Sequence, residues 1–427
     1  MDQTPSDAAS PGPAPAPAVT PPPPEASQPA PPPPTPGAVV APGVLPSAAL
    51  PLPTAPKKST RGLLVAGIAL IVLILAGAGY FGYQYLQSQA TPPAPPVKIG
   101  VLMDFTGSAS SMGYGTTKGI QLAKKQLGAD NIELVQMDSQ CDKEVSPGAM
   151  QRLVDKQVVA VIGDGCSSAS VAALEIANKN KVLMISPSAS SPKLTIPDDY
   201  FFRVVPPDTF QGAFLAKTVF DKGHKTAAVF YTNEAYGQAM NSVFKEKFEA
   251  LGGKVVASVF AESDVIDLRT QINTIKAAKP QAVVFVPNSI FSGAAAIKLA
   301  RESGVTVPFY GGDGLYDRTL INNAKVASEG LIITSFPTGT KAFKQLLLAE
   351  YQGEELYAAS QAYDAFEVLY RAINAGARTG EELKAKLPSI SFDGVSGPIK
   401  FDKNGEISDP AYEYDLLQVK DGSFAAQ

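Results

Sequence analysis

Three clusters of small polar residues each follow a short apolar run, and their residue types are those that hold a charged small molecule. Gly163-Asp164-Gly165-Cys166-Ser167-Ser168-Ala169-Ser170 follows Val158–Ile162, and Ser186-Pro187-Ser188-Ala189-Ser190-Ser191 follows Val182–Ile185. Gly311-Gly312-Asp313-Gly314 follows Phe309-Tyr310. The first two offer hydroxyls and backbone N–H groups where a helix starts, which suits a carboxylate. The third offers one acid, which suits an ammonium. A carboxylate grip facing an acid is what an α-amino acid needs. Each cluster also has a plainer reading: Ser167 and Ser168 as ordinary helix caps, Asp313 as an ordinary turn residue between glycines.

Other chemistry is scarce. The 427 residues include one His, two Cys and no Trp, too few ligands for a His/Cys zinc site. A Ser-His-Asp triad would need His224, whose polar surroundings, Asp221 to Thr226, read as an exposed turn between a helix and a strand. There is no GxxxxGK[ST], and no GxSxG in the right context. Asp402 and Asn404 hint at a calcium loop, but the remaining spacing does not match one, which favours a plain turn. A net charge of −4 points to no nucleic-acid partner. The expectation is a binding protein rather than an enzyme, with no cofactor and no metal.

The elements that position these clusters form a strand–helix rhythm. Strands are expected at Lys98–Asp104, Ile132–Met137, Val158–Ile162, Val182–Ile185, Thr226–Tyr231, Lys254–Val259, Ala282–Val286 and Phe309–Gly311. Helices are expected near Thr116–Leu127, Pro147–Lys156, Ser168–Lys179, Gln211–Lys222, Tyr236–Leu251, Leu268–Ala278 and Ser292–Ser303. Such alternation builds parallel sheets from βαβ units, and runs such as VVAVI and AVVFV are those of strands buried on both faces. The strand count exceeds one tidy sheet, so two Rossmann-like lobes are expected. Ligands of such sheets bind at the carboxyl ends of strands, where the three clusters lie. Near the C-terminus, Ile399–Asp402 and Tyr412–Val419 flank Asn404-Gly405, a hairpin turn signal.

The first quarter of the chain is different. Residues 1–56 carry 20 of the 37 prolines and read as a disordered Pro/Ala-rich tail, either a passive one or a ligand for proline-binding domains. Lys57-Lys58-Ser59-Thr60-Arg61 precedes an uncharged stretch, Leu63 to Leu86, long enough for a transmembrane helix of about 20 residues. The basic flank places the N-terminus in the cytoplasm and the bulk of the chain outside. The segment 57–90 therefore reads as a signal anchor making a single-pass membrane protein, with a cleaved signal peptide as the rival. Residues 91–97 read as a Pro-rich spacer, and 98–427 as the folded module.

Together the stretches KIGVLMDFTGSASSMGYG, MDSQCDKEVSPGAMQRLVDKQVVAVIGDGCSSAS, VLMISPSASSPKLT, the Tyr236-Gly237 pair and LARESGVTVPFYGGDG resemble the substrate-binding proteins of branched-chain amino acid ABC importers. The resemblance, to class I periplasmic binding proteins related to the leucine/isoleucine/valine-binding proteins, runs from about Val97 to the C-terminus.

That resemblance implies roles. Ser167 would hydrogen-bond a ligand carboxylate, with Ser188 and Ala189 contributing backbone groups and Ser190 another hydroxyl. Asp313 would pair with an α-ammonium, and Tyr236 would close over the ligand from the second lobe. Met112 stands where relatives often carry an aromatic residue. Pro287–Phe291 departs from the leucine-binder pattern, and Phe210 stands in place of an acid near the hinge. Cys141 would pair with Cys166; two buried thiols are the alternative. Three crossovers, near residues 208, 336 and 405, would divide lobe 1 (about 98–207 and 336–404) from lobe 2 (about 208–335 and 405–427). The implied function is capture of an amino acid, branched-chain or aliphatic, for an ABC transporter permease. A membrane-anchored sensing ectodomain, or a binder of a related amide, urea or carboxylate, are the alternatives.

Overall fold

The computed structural model describes residues 70–81, 95–351, 356–408 and 412–427. Residues 91–427 form one compact unit. In it, β1 (Val97–Met103), β2 (Ile132–Asp138), β3 (Ala160–Gly163), β4 (Leu183–Ser186) and β5 (Phe201–Arg203) make a sheet ordered β2-β1-β3-β4-β5, parallel throughout. This is the sheet of lobe 1. Lobe 2 begins with β6 (Thr226–Thr232), β7 (Lys254–Ala261), β8 (Ala282–Val286), β9 (Phe309–Gly311) and β10 (Ile332–Ser335), also parallel. The chain then forms a small hairpin, β11 (Ser391–Gly394) with β12 (Gly397–Lys400). It finishes in lobe 2 with β13 (Asp415–Lys420) and β14 (Ser423–Ala426), giving the order β14-β13-β10-β9-β8-β6-β7.

Helices cover both faces of each sheet. In lobe 1 these are α1 (Ser110–Gln126), α2 (Ser146–Asp155) and α3 (Ser167–Asn180). In lobe 2 they are α4 (Asp208–Asp221), α5 (Ala235–Ala250), α6 (Arg269–Ala278), α7 (Ile290–Glu302) and α8 (Arg318–Ala324). Then α9 (Lys341–Tyr351), α10 (Ala359–Asn374) and α11 (Gly380–Lys386) return to lobe 1, where Phe343, Phe366 and Leu383 share a core with Ile99 and Ile162. The run AVVFV shows why β8 needs no polar alternation. Val283 and Phe285 enter one core while Ala282, Val284 and Val286 enter the other, because successive side chains point to opposite faces.

Three segments cross between the lobes: β5 to α4, β10 to α9, and the stretch from β12 to β13, within which residues 409–411 are not described. The first and third are tied together. Arg203 of β5 is fully buried and grips Glu406 with Nε (2.5 Å) and Nη2 (2.7 Å). The Arg203 N–H also donates to the carbonyl of Gly405 at 3.1 Å. Gly405 adopts φ +75°, and a Cβ there would collide with the backbone of Phe201.

Two sequence expectations are corrected. Asn404-Gly405 does not join Ile399–Asp402 to Tyr412–Val419 as a hairpin: β12 pairs with β11, and β13 with β10 and β14. The turn itself forms, with one bridge, Phe401 with Ile407, and with Gly405 packed against β5, but the strand pairing does not extend beyond it. The membrane span over Leu63–Leu86 is also corrected. Among the described residues no helix is long and apolar enough to cross a membrane. The described part of that stretch is helical over residues 70–81. With the span fall the readings that rested on it: the transmembrane signal anchor, the cytoplasmic N-terminus, the single-pass localisation and the membrane as a partner. The Pro/Ala-rich tail of 1–56 and the basic flank lie outside the described residues; what the structure supports is the two-lobed α/β module.

Candidate ligand-binding site

A cleft of about 490 Å³ of empty volume, including the part open to solvent, lies between the lobes. Met112, Ser167 and Ser188 line it from lobe 1; Tyr236 and Asp313 line it from lobe 2. Ala189 and Ser190 are buried but are not among its lining residues.

The lobe 1 wall is the start of α3. Its N-cap position is Cys166, with no side-chain cap bond, and Ser170 is the first residue whose N–H closes the helical turn, on the carbonyl of Cys166. Helix starts carry orphan N–H groups and partial positive charge. Ser167 and Ser168 do not cap the helix; they sit inside it and reach elsewhere. The Ser167 Oγ accepts from the Ser191 N–H at 3.2 Å, which leaves its own O–H to donate. The Ser168 Oγ accepts from the Ala235 N–H of lobe 2 at 2.9 Å. The loop after β4 braces this wall. Ser186 accepts from the N–H groups of Ser188 (3.3 Å) and Ala189 (2.9 Å) and donates to the Asp164 carbonyl (2.7 Å). The Ser188 hydroxyl donates to the Gly165 carbonyl at 2.9 Å. The backbone groups expected to meet a ligand at Ser188 and Ala189 are therefore engaged with Ser186.

The lobe 2 wall is an acid held by phenols. Asp313 follows β9 and is 2% exposed. Its Oδ1 accepts from the Tyr236 hydroxyl at 2.9 Å, and its Oδ2 from the Tyr357 hydroxyl at 2.7 Å. Each carboxylate oxygen has two lone-pair sites, so capacity remains for an incoming N–H. Burial pushes the Asp313 carboxyl above its usual range, against the pull of the two phenols. The glycines around it have a steric reason: a Cβ at Gly312 would collide with the Tyr236 hydroxyl.

Tyr357 was not singled out from the sequence. It precedes α10, on the lobe 1 side, so its bond to Asp313 spans the cleft. Asn288, within the divergent Pro287–Phe291 segment, also spans it: its Nδ2 donates to Cys141 Sγ at 3.1 Å. With the Ser168–Ala235 bond, these contacts hold the lobes together. Cys141 and Cys166 are disulfide-bonded with Cα atoms 5.4 Å apart, which anchors the loop after β2 to the start of α3. The remaining lining is mixed, with Met112 and Ile290 apolar and Ser108, Ser111, Asn288 and Asp317 polar.

Behind the lobe 1 wall, Asp104 and Asp164 are fully buried. Burial, and then the charge of Asp164, push Asp104 well above the usual range, and burial pushes Asp164 up to about 6. They and Cys166 bring their donor atoms within 4.8 Å of one another. The sulfur is already bonded to Cys141, which leaves two carboxyls whose burial favours their neutral form. His224 is half-buried rather than exposed, with its Nε2 at 3.0 Å from the Tyr310 hydroxyl, and is not among the residues lining the cleft. Asp402 accepts from the N–H groups of Asn404 and Glu406 (2.8 and 3.0 Å), the geometry of a turn. The acid expected in place of Phe210 has a near neighbour instead: Phe210 is exposed, and Asp208 is the buried acid of the crossover.

Two α/β lobes joined by three crossovers, with a polar cleft between them and no nucleophile–base pair in it, define a solute-binding protein. The chain belongs to the periplasmic binding protein family, whose profile matches residues 96–423. Proteins of this family are non-catalytic solute-binding proteins. The chain is 27% identical over 365 residues to a leucine-, isoleucine-, valine-, threonine- and alanine-binding protein of Pseudomonas aeruginosa, covering 82% of this chain and 94% of that one. A leucine-binding protein from Thermotoga maritima superposes with a TM-score of 0.72 at 31% identity, covering 78% of this chain and 97% of the other. A branched-chain amino acid transporter substrate-binding protein from Streptococcus pneumoniae, in complex with isoleucine, gives a TM-score of 0.71 at 26% identity over 78% and 99%.

Proposed function

We propose that this protein captures a small aliphatic or hydroxylated α-amino acid between its lobes and hands it to an ABC importer. The observation that carries the reading is the pairing of opposite ends in one cleft. The uncapped start of α3 with Ser167 receives the carboxylate, and buried Asp313 receives the ammonium. Met112 and Ile290 give the side chain an apolar seat, while Asn288, Ser108 and Ser111 tolerate a hydroxyl. Relatives named for leucine, isoleucine, valine, threonine and alanine support this range. Closure around the ligand is a population shift, since only closed lobes let Tyr357 and Ser168 reach their partners.

The test is calorimetric titration of the full chain, unfolded and refolded to remove carried ligand, with a panel of L-amino acids. Tight one-to-one binding of leucine, isoleucine, valine, threonine or alanine is expected. Silence across the panel would refute the amino-acid reading and leave the fold untouched.

A further inference from the structure

Asp208 opens α4, directly after the first crossover, and is fully buried. Neither of its carboxylate oxygens has a hydrogen-bond partner. The Ser190 hydroxyl lies close but outside bonding geometry, although the Asp208 N–H does donate to the Ser190 carbonyl at 2.8 Å. Among the described residues the cation whose charge bears most on Asp208 is Arg203, and its donors are engaged. Nε and Nη2 bind Glu406, Nη2 also binds Thr195, and Nη1 binds the carbonyls of Ala189 and Ser191. That accounts for all five N–H groups of a guanidinium. The other titratable groups whose charge reaches Asp208 are acids or phenols: Asp313 after β9, Glu234 before α5, Tyr236 on α5, Tyr357 before α10 and Tyr414 before β13. Gln211, one turn along α4, leaves its Oε1 without a partner, as does the hydroxyl of Tyr414.

An ionised carboxylate with no hydrogen bond, whose nearby guanidinium is already paired with another carboxylate, does not persist in such a place; it takes a proton instead. Burial indeed pushes the Asp208 carboxyl well above the usual range, and the charge of Asp313 adds to the rise. An ammonium delivered to Asp313 changes the balance, because it adds a positive charge not already paired with Glu406.

We propose that Asp208 is a specificity-determining residue of the cleft: it is protonated while the cleft is empty and releases its proton when an ammonium settles against Asp313. The O–H bond of Asp208 breaks, its electron pair stays on the carboxylate, and the proton passes to solvent as the ligand's positive charge enters. The site thereby exchanges one cation for another and keeps its net charge. A carboxylate ligand without an ammonium brings no replacement charge and is disfavoured. This inference rests on the amino-acid reading above.

Linkage gives the sign. The free protein holds the proton more tightly than the complex, so affinity rises with pH up to the pKa of Asp208 in the free protein and levels off above it. The rise is up to about tenfold per pH unit for one linked proton.

Two measurements test the proposal. Infrared difference spectra of ligand-free wild type minus Asp208→Asn at neutral pH should show the carbonyl stretch of a protonated carboxyl. Titration calorimetry with an amino acid in buffers of different ionisation heat should show release of about one proton per ligand. In Asp208→Asn, an isostere of the neutral acid, release should fall away and the pH dependence flatten, with the two affinities converging as pH falls. Absence of the carboxyl band overturns the proposal, as does proton release that persists undiminished in Asp208→Asn. A band with no binding by any amino acid sinks the amino-acid reading, and with it the exchange, while the neutral Asp208 stands.

Discussion

The two walls of the cleft are built on opposite plans. Lobe 1 presents a helix start and short hydroxyls, most of them already engaged within the lobe: Ser186 with Asp164, Ser188 with Gly165, Ser167 with Ser191. Its attraction for a carboxylate is spread over several partial charges. Lobe 2 concentrates its attraction in one buried carboxyl, reached by two phenols, one from each side of the cleft. A distributed wall degrades gradually when one group is removed; a concentrated wall fails at one residue.

The largest expected effect follows from the concentrated side. Asp313→Ala removes the buried carboxylate proposed to meet the ammonium and leaves Tyr236 and Tyr357 without their acceptor. Removing one partner of a buried charge pair costs several kcal/mol, so amino-acid affinity should fall about a hundredfold or more, at least about 2.7 kcal/mol. Calorimetry on the variant decides this. Undiminished affinity would mean that the lobe 2 wall is not the ammonium site and that the contrast between the walls is false.

The smaller number belongs to the distributed side. Ser167→Ala deletes one hydroxyl, while the backbone amides of α3 remain. A single hydrogen bond to a charged group, net of water, is worth about 1.5 kcal/mol, which is a loss of about tenfold in affinity. A loss as large as that of Asp313→Ala would show that Ser167 carries the wall alone. The loop bonds around Ser191 should persist, so thermal stability should change little.

The two walls also differed in how readable they were. The lobe 1 wall is local: an apolar run, a Gly/Ser cluster and a helix follow one another within a few residues, and β3 and α3 formed within two residues of the expected bounds. Asp313 was legible for the same reason, since β9 and its glycines adjoin it. Tyr357 was not, because it stands between two helices of the unassigned stretch 336–398 and meets Asp313 only through the third dimension, 44 residues away. Asp208 reads locally as an acid favoured in the first turn of a helix, and nothing near it in sequence shows that it is buried beside a second acid. Arg203 and Glu406 are 203 residues apart, beyond any local pattern. Asn404-Gly405 was misread because its turn signal is real but its glycine serves a close approach to β5. The apolar stretch Leu63–Leu86 has the composition of a span, but among the described residues no helix is long and apolar enough to cross a membrane.

The smallest effect sharpens the contrast most. Tyr357→Phe removes one hydroxyl from the bond that crosses the cleft and leaves Tyr236 on Asp313. The bond exists only when the lobes are closed, so its loss favours the open state, and a ligand that binds the closed state loses apparent affinity in proportion. Against this, Asp313 regains a lone pair for the ammonium, which offsets part of the loss. The net change should be about threefold weaker, or about 0.7 kcal/mol, and it should appear in the dissociation rate, because closure governs escape. Stopped-flow displacement measures that rate directly. Faster release with an unaltered association rate supports Tyr357 as a closing contact. Tighter binding in the variant would instead make the phenol a competitor for the place the ammonium takes, and Asp313 would then be masked in the empty protein rather than poised.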